Sequence, residues 1–254
     1  MSLIGSTNEE KIWNYLKAKG LPDCGIASLM GNLYAESCLI PTNLQNSYEK
    51  ALSFTDAAYT AAVDNGTYQN FVKDSAGYGL AQWTYWSRKK NLLDFAKKKG
   101  KSIGDLEMQL DFLWNELQGY TVVISTLKTA KTVRAASDSV LLNFERPADQ
   151  SEAAKTRRAG FGQKFYDIVA AAAEQIAGAG LILWTCREGE LLENALEACA
   201  RWGLHFDAVN DSLPSWKKFY GNDTRKVGAT EYWDDKAYRV QNGKLMKEVA
   251  HEMD

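Results

Sequence analysis

A single carboxylate set within a run of apolar helical positions is the strongest constraint in this chain. The stretch is Met30-Gly-Asn-Leu-Tyr-Ala-Glu-Ser-Cys-Leu-Ile-Pro41. Ile26, Leu29, Met30, Leu33 and Leu39 recur at spacings of three and four, and Pro41 stops the pattern, which predicts a largely buried helix with Glu36 in its last turns. Burial disfavours the charged form of a carboxyl, and a glutamate kept protonated near neutrality can give its proton to a leaving group. A glutamate at an exposed helix end, or one paired with Lys or Arg, fits the same pattern, so the stretch alone leaves both readings open.

A second stretch bears on that choice. In Ala76-Gly-Tyr-Gly-Leu-Ala-Gln-Trp-Thr84 two glycines permit tight backbone around Tyr78. Tyr78, Gln82, Trp83, Tyr85 and Trp86 supply flat rings and an amide, groups suited to stacking on sugar rings and bonding to N-acetyl groups. Tyr34, beside Glu36 in sequence, is a further candidate for sugar contact.

Together the two stretches resemble the phage tail lysozyme family, which is related to goose-type lysozymes and soluble lytic transglycosylases. Those proteins carry Glu-Ser on a helix, followed by a Gly-Leu-x-Gln element lining the sugar cleft; here the residues are Glu36-Ser37 and Gly79-Leu80-Ala81-Gln82, with Trp83-Thr84 after them. The likeness runs on through Gln109-Leu-Asp-Phe-Leu-Trp114 and Phe144-Glu-Arg-Pro147 to Arg157-Arg158. It implies a mainly α-helical, lysozyme-like domain with a small β lobe, acting on the β-1,4 bonds of bacterial peptidoglycan glycan strands with Glu36 as general acid and no cofactor. It also implies a final helix beside the cleft, which makes Tyr166 a substrate-binding candidate. Two candidates for a second carboxylate follow: Asp74, before the Gly-Tyr-Gly turn, and Asp64, in an Asp-Asn-Gly turn, each of which also fits an ordinary turn role. If neither faces Glu36, the substrate's N-acetyl group or 6-hydroxyl takes that part, as in the transglycosylases. Hydrolysis and transglycosylation stay open.

Composition narrows the alternatives. A chain with 45% hydrophobic and 24% charged residues is globular rather than disordered, and a net charge of −2 provides no basic excess for nucleic acid. No apolar run reaches the roughly 18 residues of a membrane span, and the first residues lack the charged and apolar segments of a secretion signal. Such a chain is expected to stay in the cytoplasm of the producing cell and to reach the wall on release or as part of a phage tail. Cys24, Cys38, Cys186 and Cys199 lack the spacing of a metal site and read as free, buried thiols, and His205 and His251 are too few for a histidine zinc site.

Taken in order, helices are expected from Asn8, through the Glu36 stretch, from Ser87 to Lys99, from Ile103, from Val133 to Phe144 and from Gln150 through Tyr166 to Gln175. The segment from Thr42 to Ser75 predicts a hairpin or loop lobe. After Gln175 the pattern changes. Leu181-Ile-Leu-Trp184 predicts a buried parallel strand, residues 189–202 a helix, residues 205–209 a second strand and residues 226–233 a third. The expected division is therefore a lysozyme-like domain over 1–175 and an α/β appendage over 176–254. That appendage resembles part of a haloacid dehalogenase-like phosphatase, with Thr185, Lys226, Asp234 and Asp235 at the places of its phosphate and magnesium groups, but no Asp-x-Asp nucleophile occurs anywhere in the chain. It is thus expected to be non-catalytic, packing on the first domain or pairing with a second copy to cover an open strand edge. Besides the glycosidase, the sequence admits a non-catalytic glycan-binding or tail-tip module and, more weakly, a phosphatase.

Overall fold

In the computed structural model, residues 3–221, 238–241 and 244–247 are described. The chain forms two compact units, Met1–Tyr166 and Asp167–Asp254. The division falls within one long helix, Glu152–Ile176, upstream of the boundary expected after Gln175.

The first unit is helical. Helix α1 (Asn8–Ala18) opens with the Thr7 hydroxyl accepting from Glu10 N, and its Ile12, Trp13 and Leu16 enter the core. Helix α2 (Asp23–Ser37) buries every residue from Gly25 to Leu33, so it is a central helix rather than an amphipathic surface one. It ends where Cys38 takes a left-handed conformation with φ 51°. Around α2 pack α1, α7 (Thr121–Thr129), α8 (Val133–Val140) and the first part of α9 (Glu152–Ile176), while α6 (Leu106–Gln118) lies against α1 and α7 and carries α5 (Trp86–Lys99).

Two kinds of contact bring neighbours unusually close to α2. The first is glycine: a methyl group on Gly25 would sit 2.0 Å from the Leu127 carbonyl oxygen, and one on Gly31 would sit 2.4 Å from Gly162 N and 2.6 Å from the Arg158 carbonyl oxygen. The second is buried polar bonding. Ser28 Oγ donates to the Val133 carbonyl at 2.9 Å, and Asn32 Nδ2 donates to Ser137 O and Oγ at 3.2 and 3.0 Å. Each satisfies groups that burial would otherwise leave costly.

The segment from Thr42 to Ser75 departs from the expected hairpin. It forms two short helices, α3 (Asn46–Leu52) and α4 (Asp56–Asp64), with an isolated antiparallel bridge from Leu44 to Tyr78. The Asp-Asn-Gly turn is present, but it ends α4 instead of joining strands: Gly66, with φ 78°, donates its N–H to the Val63 carbonyl. Helix α8 runs on into a π-turn at Leu141–Glu145, closed by Arg146 at φ 49°.

In the second unit, β1 (Ile182–Leu183) pairs in parallel with β2 (Ala208–Val209), joined through α10 (Gly189–Arg201), as the α/β pattern of the sequence predicts. A short helix α11 (Pro214–Tyr220) follows, and β3 (Tyr238–Gln241) pairs antiparallel with β4 (Lys244–Lys247). Thr185 lies two residues past β1, where its N–H donates to Asn210 Oδ1. Lys226, Asp234, Asp235 and the third expected strand lie outside the described residues.

All four cysteines are free. Against expectation, Cys38 and Cys186 are exposed and the other two half-buried. Cys38 faces out because the left-handed cap turns it off the buried side of α2.

Candidate functional site: a carboxylate and arginine cluster beside a glycine turn

Glu36 occupies the last turn of α2, and Ser37 fixes that turn to the Gly-Tyr-Gly loop by donating from Oγ to the Leu80 carbonyl at 2.9 Å. The apolar enclosure expected around the Glu36 carboxyl is not there. Its side chain is 18% exposed, and Oε1 accepts from Arg158 Nη2 at 2.6 Å. The close approach of α9 to α2 at Gly31 and Gly162 sets Arg158, one turn before Gly162, against Glu36.

A third charged group shares this place. Glu145, the last residue of the π-turn, is half-buried as a residue, yet its Oε1 is closed off from solvent and makes no hydrogen bond. Arg88 on α5 is paired bidentately with Glu116 on α6, Nε to Oε1 at 2.8 Å and Nη2 to Oε2 at 2.9 Å. Its guanidinium also lies 4.9 Å from the ring centroid of Phe144. The two arginines are thus already matched by two glutamates. Glu145 would add an unmatched charge in a desolvated place. Burial, and next the negative charge of Glu36, push its carboxyl up to about 8, against the opposing pull of Arg88 and Arg158.

The Gly-Tyr-Gly loop owes its glycines to two glutamines. A methyl group on Gly77 would meet Gln82 Oε1 at 2.6 Å, and one on Gly79, which has φ 76°, would meet Gln109 Oε1 at 2.7 Å. Gln109 is fully buried: it accepts from Leu80 N at 2.9 Å and donates to the Pro41 and Ile103 carbonyls, both at 2.6 Å. It ties the end of the Glu36 helix to the loop.

Several residues proposed for sugar contact prove to be scaffold. Tyr78 is wholly buried, its hydroxyl 2.6 Å from Thr60 Oγ1 and its ring packed on Tyr59 and Phe71. Trp83 is wholly buried, edge-on to Phe112, with Nε1 donating to Glu116 Oε2 at 2.9 Å. Both rings serve the core, so neither is available to a glycan. Gln82 is half-buried with φ 43°, and its Nε2 donates to Asn43 Oδ1 at 2.8 Å. Tyr34, half-buried, packs on Phe161 and Phe165 of α9. Tyr166, also half-buried, is the last residue of the first unit. Trp86 and Tyr85 alone of this set stand clear, 54% and 63% exposed, and with Val72, Lys73, Ser75 and Thr84 they line an open pocket of about 360 Å³. None of Glu36, Glu145 and Arg158 lines it.

Neither candidate for the second carboxylate faces Glu36 as a free acid. Asp74 is 1% exposed and bound to the fully buried Lys89 at 2.5 Å; it also accepts from the hydroxyls of Tyr59 and Tyr68 and from Ala76 N. Asp64 anchors the segment before α6, accepting from Ser102 Oγ at 2.5 Å and Ile103 N at 2.9 Å. Both carboxylates are spent on structure.

The family profile described as phage tail lysozyme matches residues 7–169 of this chain. The chain belongs to the phage tail lysozyme family. The match takes in Glu36, the Gly-Tyr-Gly loop, Glu145 and Arg158 and ends before the α/β appendage. Membership of a phage tail lysozyme family gives the chain a lysozyme-like, peptidoglycan-directed function and a phage association. Among the described residues no helix is long and apolar enough to cross a membrane, and no group of three or more His, Cys, Asp or Glu is placed to hold a metal ion.

Sequence reasoning missed Glu145 and undervalued Arg158. Both were in view, in Phe144-Glu-Arg-Pro147 and Arg157-Arg158, but a charged residue near a helix end reads as a surface residue until its neighbours are known.

Proposed function

We propose that this protein cleaves the β-1,4 glycosidic bonds of bacterial peptidoglycan, with Glu36 as the group that protonates the leaving glycosidic oxygen. What carries the reading is Glu36 itself: in a chain of this family, a partly exposed carboxyl ends the central helix and is held in place by a buried guanidinium. A proton delivered to the bridging oxygen lets the C–O bond break as positive charge builds on the sugar ring. With Asp74 and Asp64 committed to structure, the substrate's N-acetyl group or 6-hydroxyl is the means of meeting that charge. Trp86 and Tyr85 would take a sugar ring further along the strand, stacking on its apolar face.

The α/β appendage is proposed as non-catalytic, and cleavage as a property of the chain up to Gln175. The protein would act on the wall after release from the producing cell or from a phage tail. Digestion of purified peptidoglycan by the full chain, with mass spectrometry of the fragments, tests the reading. New reducing ends would identify a hydrolase and anhydro ends a transglycosylase, whereas intact strands recovered in complex with the protein would identify a glycan-binding module instead.

A further inference from the structure

We propose that the open pocket of Lys73, Ser75, Tyr85 and Trp86 is a remote subsite for the muramic unit of the glycan, in which the rings stack on the sugar and Lys73 pairs with a carboxylate of its 3-O-substituent. This rests on the reading of the chain as a peptidoglycan glycosidase and adds to it the feature of the strand that the protein selects. Three observations carry it.

The first is the platform. Tyr85 and Trp86 are both exposed, with ring centroids 6.1 Å apart and planes 44° to one another. At the mouth of a cavity of about 360 Å³ they form an angled apolar surface, suited to the C–H face of a pyranose.

The second is charge. Among the described residues Lys73 is the one charged side chain on the pocket wall, and it is exposed and forms no ion pair. The acid beside it in sequence, Asp74, is 1% exposed and turned inward to Lys89. The pocket therefore offers a cation and the Ser75 hydroxyl with no carboxylate to compete for them, which favours an anionic ligand.

The third is that the two walls are tied together. Asp74 Oδ1 accepts from Ala76 N at 3.0 Å across Ser75, which takes a left-handed conformation with φ 60°, and Lys73 and Ser75 are left on the pocket side. Lys89, three residues after Trp86 on α5, binds Asp74 at 2.5 Å and the Ala76 carbonyl at 2.7 Å. That buried pair clamps the Lys73 to Ser75 segment onto the first turn of the helix that presents Trp86. Walls held in place beforehand lose less freedom when a ligand arrives.

The substrate supplies the matching group. Both sugars of peptidoglycan offer a ring and an N-acetyl group, but only the muramic one carries a lactyl ether, whose carboxylate is either free or continued into a stem peptide with carboxylates of its own. A chitin strand has the rings without the charge. The pocket also lies within reach of the acid: Leu80, whose carbonyl accepts from Ser37 Oγ, follows Ser75 by five residues, at most about 18 Å of extended chain. One glycan strand can therefore pass Glu36 and rest on Trp86.

Calorimetric titration of the full chain carrying Glu36→Gln, so that ligand is not consumed, tests this. The probes are a peptidoglycan tetrasaccharide with stem peptides, the same tetrasaccharide stripped to its lactyl carboxylates, chitotetraose, and the free stem peptide. The expected result is that a carboxylated tetrasaccharide binds about threefold to fivefold tighter than chitotetraose at low salt, a preference that fades at high salt. Lys73→Gln should remove that preference and leave chitotetraose affinity unchanged, Lys73→Arg should keep it, and Trp86→Ala should weaken all three saccharides. A preference for the stripped strand assigns the anion to the lactyl group, and one confined to the stem-bearing strand assigns it to the peptide. Equal affinity for all three saccharides overturns the proposal. So does a Lys73→Gln variant that keeps the preference or loses chitotetraose to the same degree, and so does free stem peptide binding as tightly as the stem-bearing strand, which would make the pocket a peptide site. Lys73 is exposed, so its replacement leaves the fold intact. If the wild type cleaves no peptidoglycan, the reading of Glu36 as acid fails on its own, since these titrations need no turnover.

Discussion

Removing the Asp74 carboxylate should destabilise the protein severely while sparing its chemistry. Lys89 is 0% exposed, and its ammonium has three partners: Asp74 Oδ1 at 2.5 Å, the Ala76 carbonyl at 2.7 Å and the Tyr59 hydroxyl at 3.2 Å. Asp74→Ala takes away the only opposite charge among them and also strips the hydroxyls of Tyr59 and Tyr68 of their acceptor. Breaking a buried pair by deleting one partner costs about 3 to 5 kcal/mol, because the remaining charge is left uncompensated. At about 2 to 4 °C per kcal/mol for a unit of this size, the melting temperature should fall by about 6 to 20 °C. Lys89 limits the loss. Burial already lowers its pKa, against the opposing pull of Asp74, so in the variant it can shed its proton, and the variant should recover stability as pH rises. Calorimetry and urea unfolding read the stability; lysis of walls well below the melting temperature reads the function. A loss under about 1 kcal/mol would refute the buried-pair argument. A folded variant without lytic activity would return Asp74 to the catalytic site.

The two tryptophans of the loop region should separate cleanly. Trp83→Ala should cost about 3 to 5 kcal/mol by unfolding, since it empties a core position, whereas Trp86→Ala should stay within about 0.5 kcal/mol and weaken chitooligosaccharide binding by calorimetry. Stability should also fall as pH rises from the ordinary glutamate range to about 8, because the folded state keeps a proton on Glu145 that the unfolded chain gives up earlier; unfolding of Glu145→Gln across that window should show a flatter profile. A chain ending at Gln175 should remain folded and lytic in turbidity assays, and an insoluble or inactive product would make the appendage part of the working fold.

Much of the helical order was legible in the sequence, because α1, α2, α5 and α6 carry apolar positions at helical spacing. The site was legible only as a place. Glu36 stood out as a carboxylate amid apolar residues, but the partner that defines its environment lies 122 residues on. That pairing depends on Gly31 meeting Gly162, a contact that leaves no trace in periodicity. The aromatic residues misled for a related reason. Tyr78, Trp83 and Trp86 are equally suited to a core and to a sugar platform, and burial, which a local sequence cannot state, assigns the first two to the core and leaves the third outside. Likewise Asp74 and Asp64 sit at turns, where a structural bond and a catalytic role call for the same residue type. The hairpin expected before the Gly-Tyr-Gly loop failed because Asp-Asn-Gly ends a helix as readily as it joins two strands.

The most direct test of the central claim is digestion of purified peptidoglycan by the wild type and by Glu36→Gln, with fragments counted by mass spectrometry. The amide keeps the shape of the side chain but has no acidic proton. The account predicts glycan fragments from the wild type, a loss of order a hundredfold or more in the variant, and unchanged folding and glycan binding. Cleavage by Glu36→Gln within a few-fold of the wild type would contradict it.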